Sequence, residues 1–196
     1  MRKLLLIVWL LIPVVAGAYH YGPGQERLQL DKVAYLIEQA ETHAEAGEHA
    51  EAAKVYGEAL DLLPPGMAHK DREIRLEKAK SQMLSKQLPE ARADLHTLLT
   101  ELTEDSKADS KLTDEVRSTL ANSQYYMTWL MRLEGRSREE WEPEIEASRQ
   151  NYRLLAEKSK TDGDTKFERH QKDLESAIRL ARLDLKDLAG LPLPSQ

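Results

Sequence analysis

The sequence predicts an all-α fold made of antiparallel helix-turn-helix repeats with a capping helix at the C-terminal end. Apolar residues recur at helical spacing through most of the chain, which favours amphipathic helices over strands. Glycine and proline fall between these segments, where they end one helix before the next begins. Only 6% of the residues are aromatic, so alanine and leucine must supply most of the packing between helices.

Composition and charge exclude several classes of function. The chain has 196 residues, 28 basic and 34 acidic, and a net charge of −6. An acidic body offers little attraction to phosphate backbones, so we expect no nucleic acid among its partners. The chain contains no cysteine, which excludes disulfides, thiolate nucleophiles and thiolate metal sites.

Residues 1–18 have the pattern of a signal peptide. Two basic residues precede an unbroken apolar run over residues 4–12, and Pro13 then interrupts the helix. The small residues at positions 16–18 follow the A-x-A pattern of a signal-peptidase site. We therefore expect cleavage before Tyr19.

An uncleaved membrane anchor is the alternative interpretation of this segment. As a transmembrane helix, residues 4–19 would be about 24 Å long, against a hydrocarbon core of about 30 Å. Trp9 and the tyrosines that follow the run would suit the membrane interface. On either interpretation the body is exported, so we expect it in the periplasm or anchored in the cytoplasmic membrane with the body outside the cytoplasm.

A linker is expected at residues 19–30, followed by the helical domain at residues 31–190. The first two helices turn at Gly47, where glycine relieves the strain of a tight connection. The second of them carries an apolar stripe and ends before Pro64. That stripe consists of Ala52, Val55, Tyr56, Ala59 and Leu60.

A second pair of helices follows, in which Pro89 stands in the first turn of the later helix. Positions 91, 95 and 98 repeat the spacing of positions 52, 56 and 59. A third pair begins near Thr113. Its first helix carries an aliphatic stripe and, on the other side, Tyr125 and Trp129, which predicts a helix packed on both sides.

The remaining elements are a capped helix and a last amphipathic one. Ser137 and Glu140 have the spacing of a capping box, and Gly163 lies in the next turn. The last helix is predicted over Phe167 to Leu188, with a tail at residues 191–196. Its expected buried face consists of Leu174, Ile178, Ala181, Leu185 and Leu188.

The spacing Ala-x3-aromatic-x2-Ala-x4-Pro from Ala52 to Pro64 resembles the second helix of a tetratricopeptide repeat (TPR). Gln39 and His43 depart from the family, which prefers leucine and tyrosine there. The resemblance implies a TPR-like α-solenoid that binds proteins through a groove lined by its first helices. On that alignment the protein-binding residues would be Ile37, Glu41, Ala44, Glu45, Leu76, Lys80 and Met83.

The sequence contains no motif for catalysis, a cofactor or a metal. There is no glycine-rich phosphate loop and no nucleophile motif, and no two of the six histidines have the spacing of metal ligands on one helix face. The alternating glutamates at positions 140–146 project to different sides of a helix, so we expect a solvated face rather than an acid–base pair. We expect Tyr125, Trp129 and Trp141 to join helices in the core rather than to bind a ligand.

The leading expectation is therefore a non-catalytic protein–protein interaction scaffold that acts outside the cytoplasm. The alternative is a structural or accessory subunit of a cell-envelope assembly whose helices pack into a complex without a peptide-binding groove. The sequence identifies neither the binding partner nor the biological process.

Overall fold

The computed structural model describes residues 9, 11–12, 23–184 and 187–188. Within these ranges the chain forms helices joined by short turns and contains no strand, which confirms the prediction of an all-α fold. The helices are α1 (Pro23–Glu45), α2 (His49–Leu62), α3 (Ala68–Leu84), α4 (Leu88–Glu104), α5 (Ser110–Leu133), α6 (Arg138–Asp162) and α7 (Phe167–Arg182).

Most of the expected signal peptide or anchor, and the whole of the tail at residues 191–196, lie outside the described residues. Among the residues that the structure describes, no helix combines the length and the apolar character needed to cross a membrane. The expected linker at residues 19–30 is helical from Pro23 onward. Proline suits the first turn of a helix, because the N–H that it lacks would have no partner there.

The chain divides into two compact units, residues 1–74 and residues 75–196, and the division falls inside α3. In the first unit α1 packs against α2. Three alanines are fully buried between them, as expected where two helices approach closely. The core of this unit consists of Val33, Leu36, Ala40, Ala52, Tyr56, Ala59 and Ile74.

The second unit contains two apolar clusters, and α5 contributes to both of them. Val116 and Leu120 belong to the cluster shared with α3 and α4, whereas Ala121 and Tyr125 belong to the cluster shared with α6 and α7. The prediction that this helix is packed on both sides is confirmed. It begins at Ser110 rather than near Thr113, because Asp109 caps it by accepting a hydrogen bond from a backbone N–H.

The turns α1–α2, α3–α4, α5–α6 and α6–α7 share one backbone geometry. In each, an N–H donates to the carbonyl five residues earlier, as in a Schellman motif. The donors and acceptors are Glu48 and His43 (2.8 Å), Gln87 and Gln82 (3.0 Å), Arg136 and Met131 (2.9 Å), and Asp164 and Ser159 (2.9 Å). The first two turns are separated along the chain by 39 residues, the same number that separates Ala52 from Ala91.

The residue that must adopt a left-handed conformation differs among these turns. Gly47 and Gly135 have φ values of 78° and 72°, which glycine adopts freely. Lys86 occupies the corresponding position with φ of 67°. A residue with a side chain is less stable there than glycine by about 1 kcal/mol.

The last helix ends earlier than expected and buries a different face. α7 stops at Arg182, and its buried residues are His170, Asp173, Ala177 and Leu180. The expected residues Leu174, Ile178 and Ala181 are only half-buried, Leu185 lies outside the described residues, and Leu188 is buried as expected. The prediction was only partly right: Leu174 and Ala181 do pack against the core, but a hydrophobicity pattern does not reveal that two polar residues are buried beside them.

Arg132 of α5 holds the C-terminal end of α7. Its guanidinium donates to the backbone carbonyls of Leu180 and Leu183 and stacks over the Trp141 ring at 4.8 Å. The last carbonyls of a helix have no partner within it, so these bonds satisfy groups that would otherwise need water. Burial lowers the pKa of Arg132, although arginine remains charged at any ordinary pH.

Candidate functional site

Two depressions on the surface of the second unit share Met83 and Leu84 of α3. The first, which we call the polar cavity, has a volume of about 820 Å³, and the second, the methionine groove, about 720 Å³. Both lie in the range of sites that bind small molecules or parts of peptides.

The methionine groove is formed by the end of α3, the turn after it, the start of α4 and the C-terminal half of α5. Met127, Leu130 and Met131 project from one face of α5, since residues three and four apart in a helix are neighbours. Leu84 and Leu130 are 50% and 41% exposed, which is high for large apolar side chains facing one groove. The groove is lined by Met83, Leu84, Lys86, Leu88, Pro89, Tyr126, Met127, Trp129, Leu130, Met131, Glu134, Arg136 and Glu140.

Methionine is over-represented in this groove. Three of the five methionines of the chain line it. The unbranched thioether side chain adapts to differently shaped apolar partners, which is why methionine is common on binding surfaces. The arrangement can therefore accept apolar side chains of another molecule.

The charges at the rim of the groove are largely neutralised. Arg136 forms ion pairs with Glu134 and Glu140, each at 3.4 Å. Glu140 also accepts a hydrogen bond from the backbone N–H of Ser137 at 2.9 Å, which lowers the pKa of its carboxyl and confirms this half of the predicted capping box. Lys86 has no ion-pair partner among the residues that the structure describes.

The polar cavity is lined by ion pairs that connect neighbouring and alternate helices. Lys80 Nζ lies 2.7 Å from carboxylate oxygens of both Glu77 and Glu115, and so joins α3 to α5. Burial alone would lower the pKa of Lys80, but the hydrogen bonds to these two glutamates outweigh it and raise the pKa. Lys158 of α6 similarly contacts Asp114 of α5 at 2.5 Å. Lys80 and Lys158 on this wall are thus already paired.

A buried histidine lies at the floor of this cavity. His170 Nδ1 is 2.8 Å from Ser159 Oγ, and both residues are buried between α6 and α7. Burial lowers the pKa of His170, and the nearby carboxylate of Asp173 opposes that shift without reversing it. A hydroxyl next to an imidazole is a combination that hydrolases use, but here the pair is part of a packed helix interface. We interpret it as a contact that holds α7 in place.

No family model, curated protein or solved structure matches this chain. Within the described ranges there is also no group of three histidine, aspartate or glutamate side chains that could hold a metal ion. The two depressions and their residues are therefore the features from which a function can be inferred.

The residues predicted to bind protein fall in both units. Ile37, Glu41, Ala44 and Glu45 lie on α1 in the first unit, with the glutamates exposed and the other two half-buried. Lys80 and Met83 both line the polar cavity, and Met83 also lines the methionine groove. Leu76 is only 2% exposed and belongs to the core cluster of α3 to α5, so it has almost no surface to offer a partner.

The sequence predicted that the α5 residues of this groove would be buried. Met127, Leu130 and Met131 belong to an aliphatic stripe, and nothing in that pattern indicates that the C-terminal end of the stripe is open to solvent. The reason became visible only in the structure, where α5 has 24 residues and its neighbour α4 has 17. A helix rises about 1.5 Å per residue, so the end of α5 extends about 10 Å beyond what α4 can cover.

Aromatic residues at positions 125, 129 and 141 pack as expected. Tyr125 is fully buried, while Trp129 and Trp141 are half-buried against the same cluster. Burial raises the pKa of Tyr125 to about 12. Trp129 contacts this core and also lines the groove, so one of its sides faces the interior of the second unit and another faces the groove.

Proposed function

We propose that this protein is a non-catalytic protein-interaction scaffold made of TPR-like helix hairpins, and that a partner binds in the methionine groove. The observation that carries the proposal is an apolar groove with two strongly exposed leucines, Leu84 and Leu130. Burying such side chains against a partner removes apolar surface from water and stabilises the complex.

Three features support the TPR-like architecture. The turn geometry recurs at Gly47 and Lys86, and the fully buried alanines Ala52 and Ala91 have the same separation in the chain. In addition, α5 packs on both sides, as an inner helix of a solenoid does. The export signal expected at residues 1–18 would place the groove outside the cytoplasm.

A second candidate function is a subunit of a cell-envelope assembly that packs by its helices. The outer face of α1 favours it, because Leu28 and Tyr35 are 57% and 59% exposed and lie two helical turns apart on one face. A complex could cover this face without any use of the groove. The two functions therefore depend on different surfaces and can be separated.

Partner capture by leucine variants of the second unit tests the proposal. Leu130→Glu places a charge in the groove and should reduce capture of the native partner by at least tenfold, as expected for a central apolar contact. Leu154→Glu is the matched control, because Leu154 is 38% exposed on α6 and lines neither depression. Melting temperatures of both variants should remain close to that of the original protein.

The outcome also decides between the two functions. Capture that survives Leu130→Glu but is lost in Tyr35→Glu would replace the groove by the α1 face and favour the assembly subunit. Equal losses in Leu130→Glu and Leu154→Glu would point to a general effect on the fold and would contradict the groove proposal.

A further inference from the structure

We propose that the methionine groove is a site of methionine oxidation, in which peroxides convert the thioethers of Met127 and Met131 into sulfoxides and thereby weaken apolar binding. The effect on a native partner rests on the proposed function. The oxidation itself is a property of the groove and can be measured without any partner. The oxidised groove is less favourable for any occupant that contacts it through apolar groups.

The sulfur atoms of this chain are concentrated in the groove. The chain contains no cysteine, so no thiol competes with its five methionines for an oxidant. Met1 lies outside the described residues, and three of the other four, Met83, Met127 and Met131, line the groove. The exception is Met67, which is 37% exposed and lies in the first unit. Oxidation of sulfur in this chain therefore acts mainly on one surface.

Met127 and Met131 can be oxidised without disrupting the core. They lie four residues apart on α5, so their side chains are neighbours on one face of the helix. Both are half-buried and line the groove, and neither belongs to the apolar clusters found in the described part of the second unit. Met83, in contrast, packs against the cluster of α3 to α5. An oxygen added at position 127 or 131 thus changes the surface of the groove rather than the core.

The chemical step adds one oxygen atom to each sulfur. The thioether sulfur forms a bond to one oxygen of the peroxide while the O–O bond breaks. The other oxygen leaves as hydroxide and takes up the proton of the transferred oxygen, which gives water. Each methionine is oxidised by two electrons and each peroxide is reduced by two. The sulfoxide is polar, so covering it with an apolar group costs free energy that covering a thioether does not.

The exposed leucines of the groove lie next to these sulfur atoms. Leu130 is three residues from Met127 and adjacent to Met131 in the sequence, and it is 41% exposed. Residues three apart are neighbours on a helix, so an apolar group that contacts Leu130 also lies against the side chain of Met127. Oxidation therefore changes the polarity of the surface on which the proposed binding depends.

Peptide mapping and dye binding test the proposal. The full chain is treated with hydrogen peroxide, the excess is removed, and mass spectrometry measures the sulfoxide content at each methionine. Nile red, an uncharged apolar dye, is then titrated, and the part of its binding that Leu130→Glu removes is assigned to the groove. We expect oxidation of Met127 and Met131 to weaken this binding by at least about fivefold, because two side chains lose apolar character.

Three variants assign the effect to particular sulfur atoms. Met127→Leu combined with Met131→Leu keeps the groove apolar at a similar volume, so dye binding should stay near the original and should resist peroxide. Met127→Gln combined with Met131→Gln places polar groups at the same positions and should weaken binding without any oxidant. Met67→Leu removes the exposed sulfur outside the groove and should remain as sensitive to peroxide as the original protein.

Two results with the dye would overturn the proposal. One is full oxidation of Met127 and Met131 with unchanged binding. The other is an equal loss of binding in the peroxide-treated double leucine variant, or a melting temperature that falls together with binding, since either would indicate general damage to the fold.

Capture of the native partner separates this inference from the proposed function. Capture by untreated protein that does not depend on Leu130 would contradict the proposed function, and the dye titration would still decide the oxidation. Capture that depends on Leu130 but survives complete oxidation of Met127 and Met131 would overturn this inference and leave the scaffold function intact.

Discussion

At the scale of single residues, the closest approach between helices depends on alanines that leave no room for a larger side chain. Ala52 has no exposed surface, whereas Ala50, two residues earlier on the same helix, is exposed. Ala52→Leu should lower the free energy of unfolding by about 1–3 kcal/mol through overpacking. Urea unfolding measures the loss, and Ala50→Leu should show almost none. Equal losses in the two variants would contradict the helix register.

The buried histidine makes the stability of the second unit depend on pH. Burial lowers the pKa of His170 in the folded state, so the unfolded chain binds its proton more readily. The contribution of His170 is therefore complete above its ordinary pKa of about 6.5 and is lost as the pH falls from that value through the lower pKa of the folded state. We expect the free energy of unfolding to fall less between about pH 7.5 and about pH 5 in His170→Gln than in the original protein.

The exposed His96 on α4 provides the control for this experiment. His96→Gln should leave the pH dependence of unfolding as it is in the original protein. If His170→Gln shows the same pH dependence as His96→Gln, the histidine at the α6–α7 interface does not titrate as its burial implies.

At the scale of helices, ion pairs join elements that do not follow one another in the chain. Arg92 of α4 makes two hydrogen bonds, of 3.1 and 2.6 Å, to the carboxylate of Glu144 on α6. A double-mutant cycle with Arg92→Met and Glu144→Gln should give a coupling of about 1 kcal/mol. The more exposed pair of Arg138 and Glu142 should give a smaller coupling, because solvent screens it. If the coupling between Arg92 and Glu144 is no larger than that between Arg138 and Glu142, the first pair does not hold α4 and α6 together.

Glu144 shows what a local pattern can and cannot predict. Alternate glutamates of α6 do not converge, as predicted, since Glu142 pairs with Arg138 and Glu146 with Arg149 in their own helix. Glu144 was expected on a solvated face, but its side chain is only 15% exposed and its carboxylate pairs with Arg92. Arg92 is 52 residues away in the chain, so the spacing of residues within α6 could not predict this ion pair.

The helices themselves could largely be predicted. Their turns depend on local chemistry such as Gly47, Gly135 and Pro89, which acts within a few residues. The buried face of α7 and the open end of α5 could not be predicted, because both depend on what the neighbouring helices cover. The groove could therefore be identified only from the structure, although the sequence predicted one of its residues, Met83, to bind protein.

At the scale of the whole molecule, the cellular location of the protein remains a prediction. The A-x-A pattern at residues 16–18 predicts a mature chain that begins at Tyr19. Intact-mass measurement on the soluble and membrane fractions of the native cell checks this. A full-length mass found only in the membrane fraction would establish an anchor at residues 4–19 and contradict cleavage.

The contact between Arg132 and the end of α7 makes completion of the second unit depend on its last segment. The acceptor carbonyls of Leu180 and Leu183 are 48 and 51 residues further along the chain than Arg132. A chain truncated before Leu180 would leave the guanidinium of Arg132 hydrated, where the intact protein uses it to satisfy a helix end.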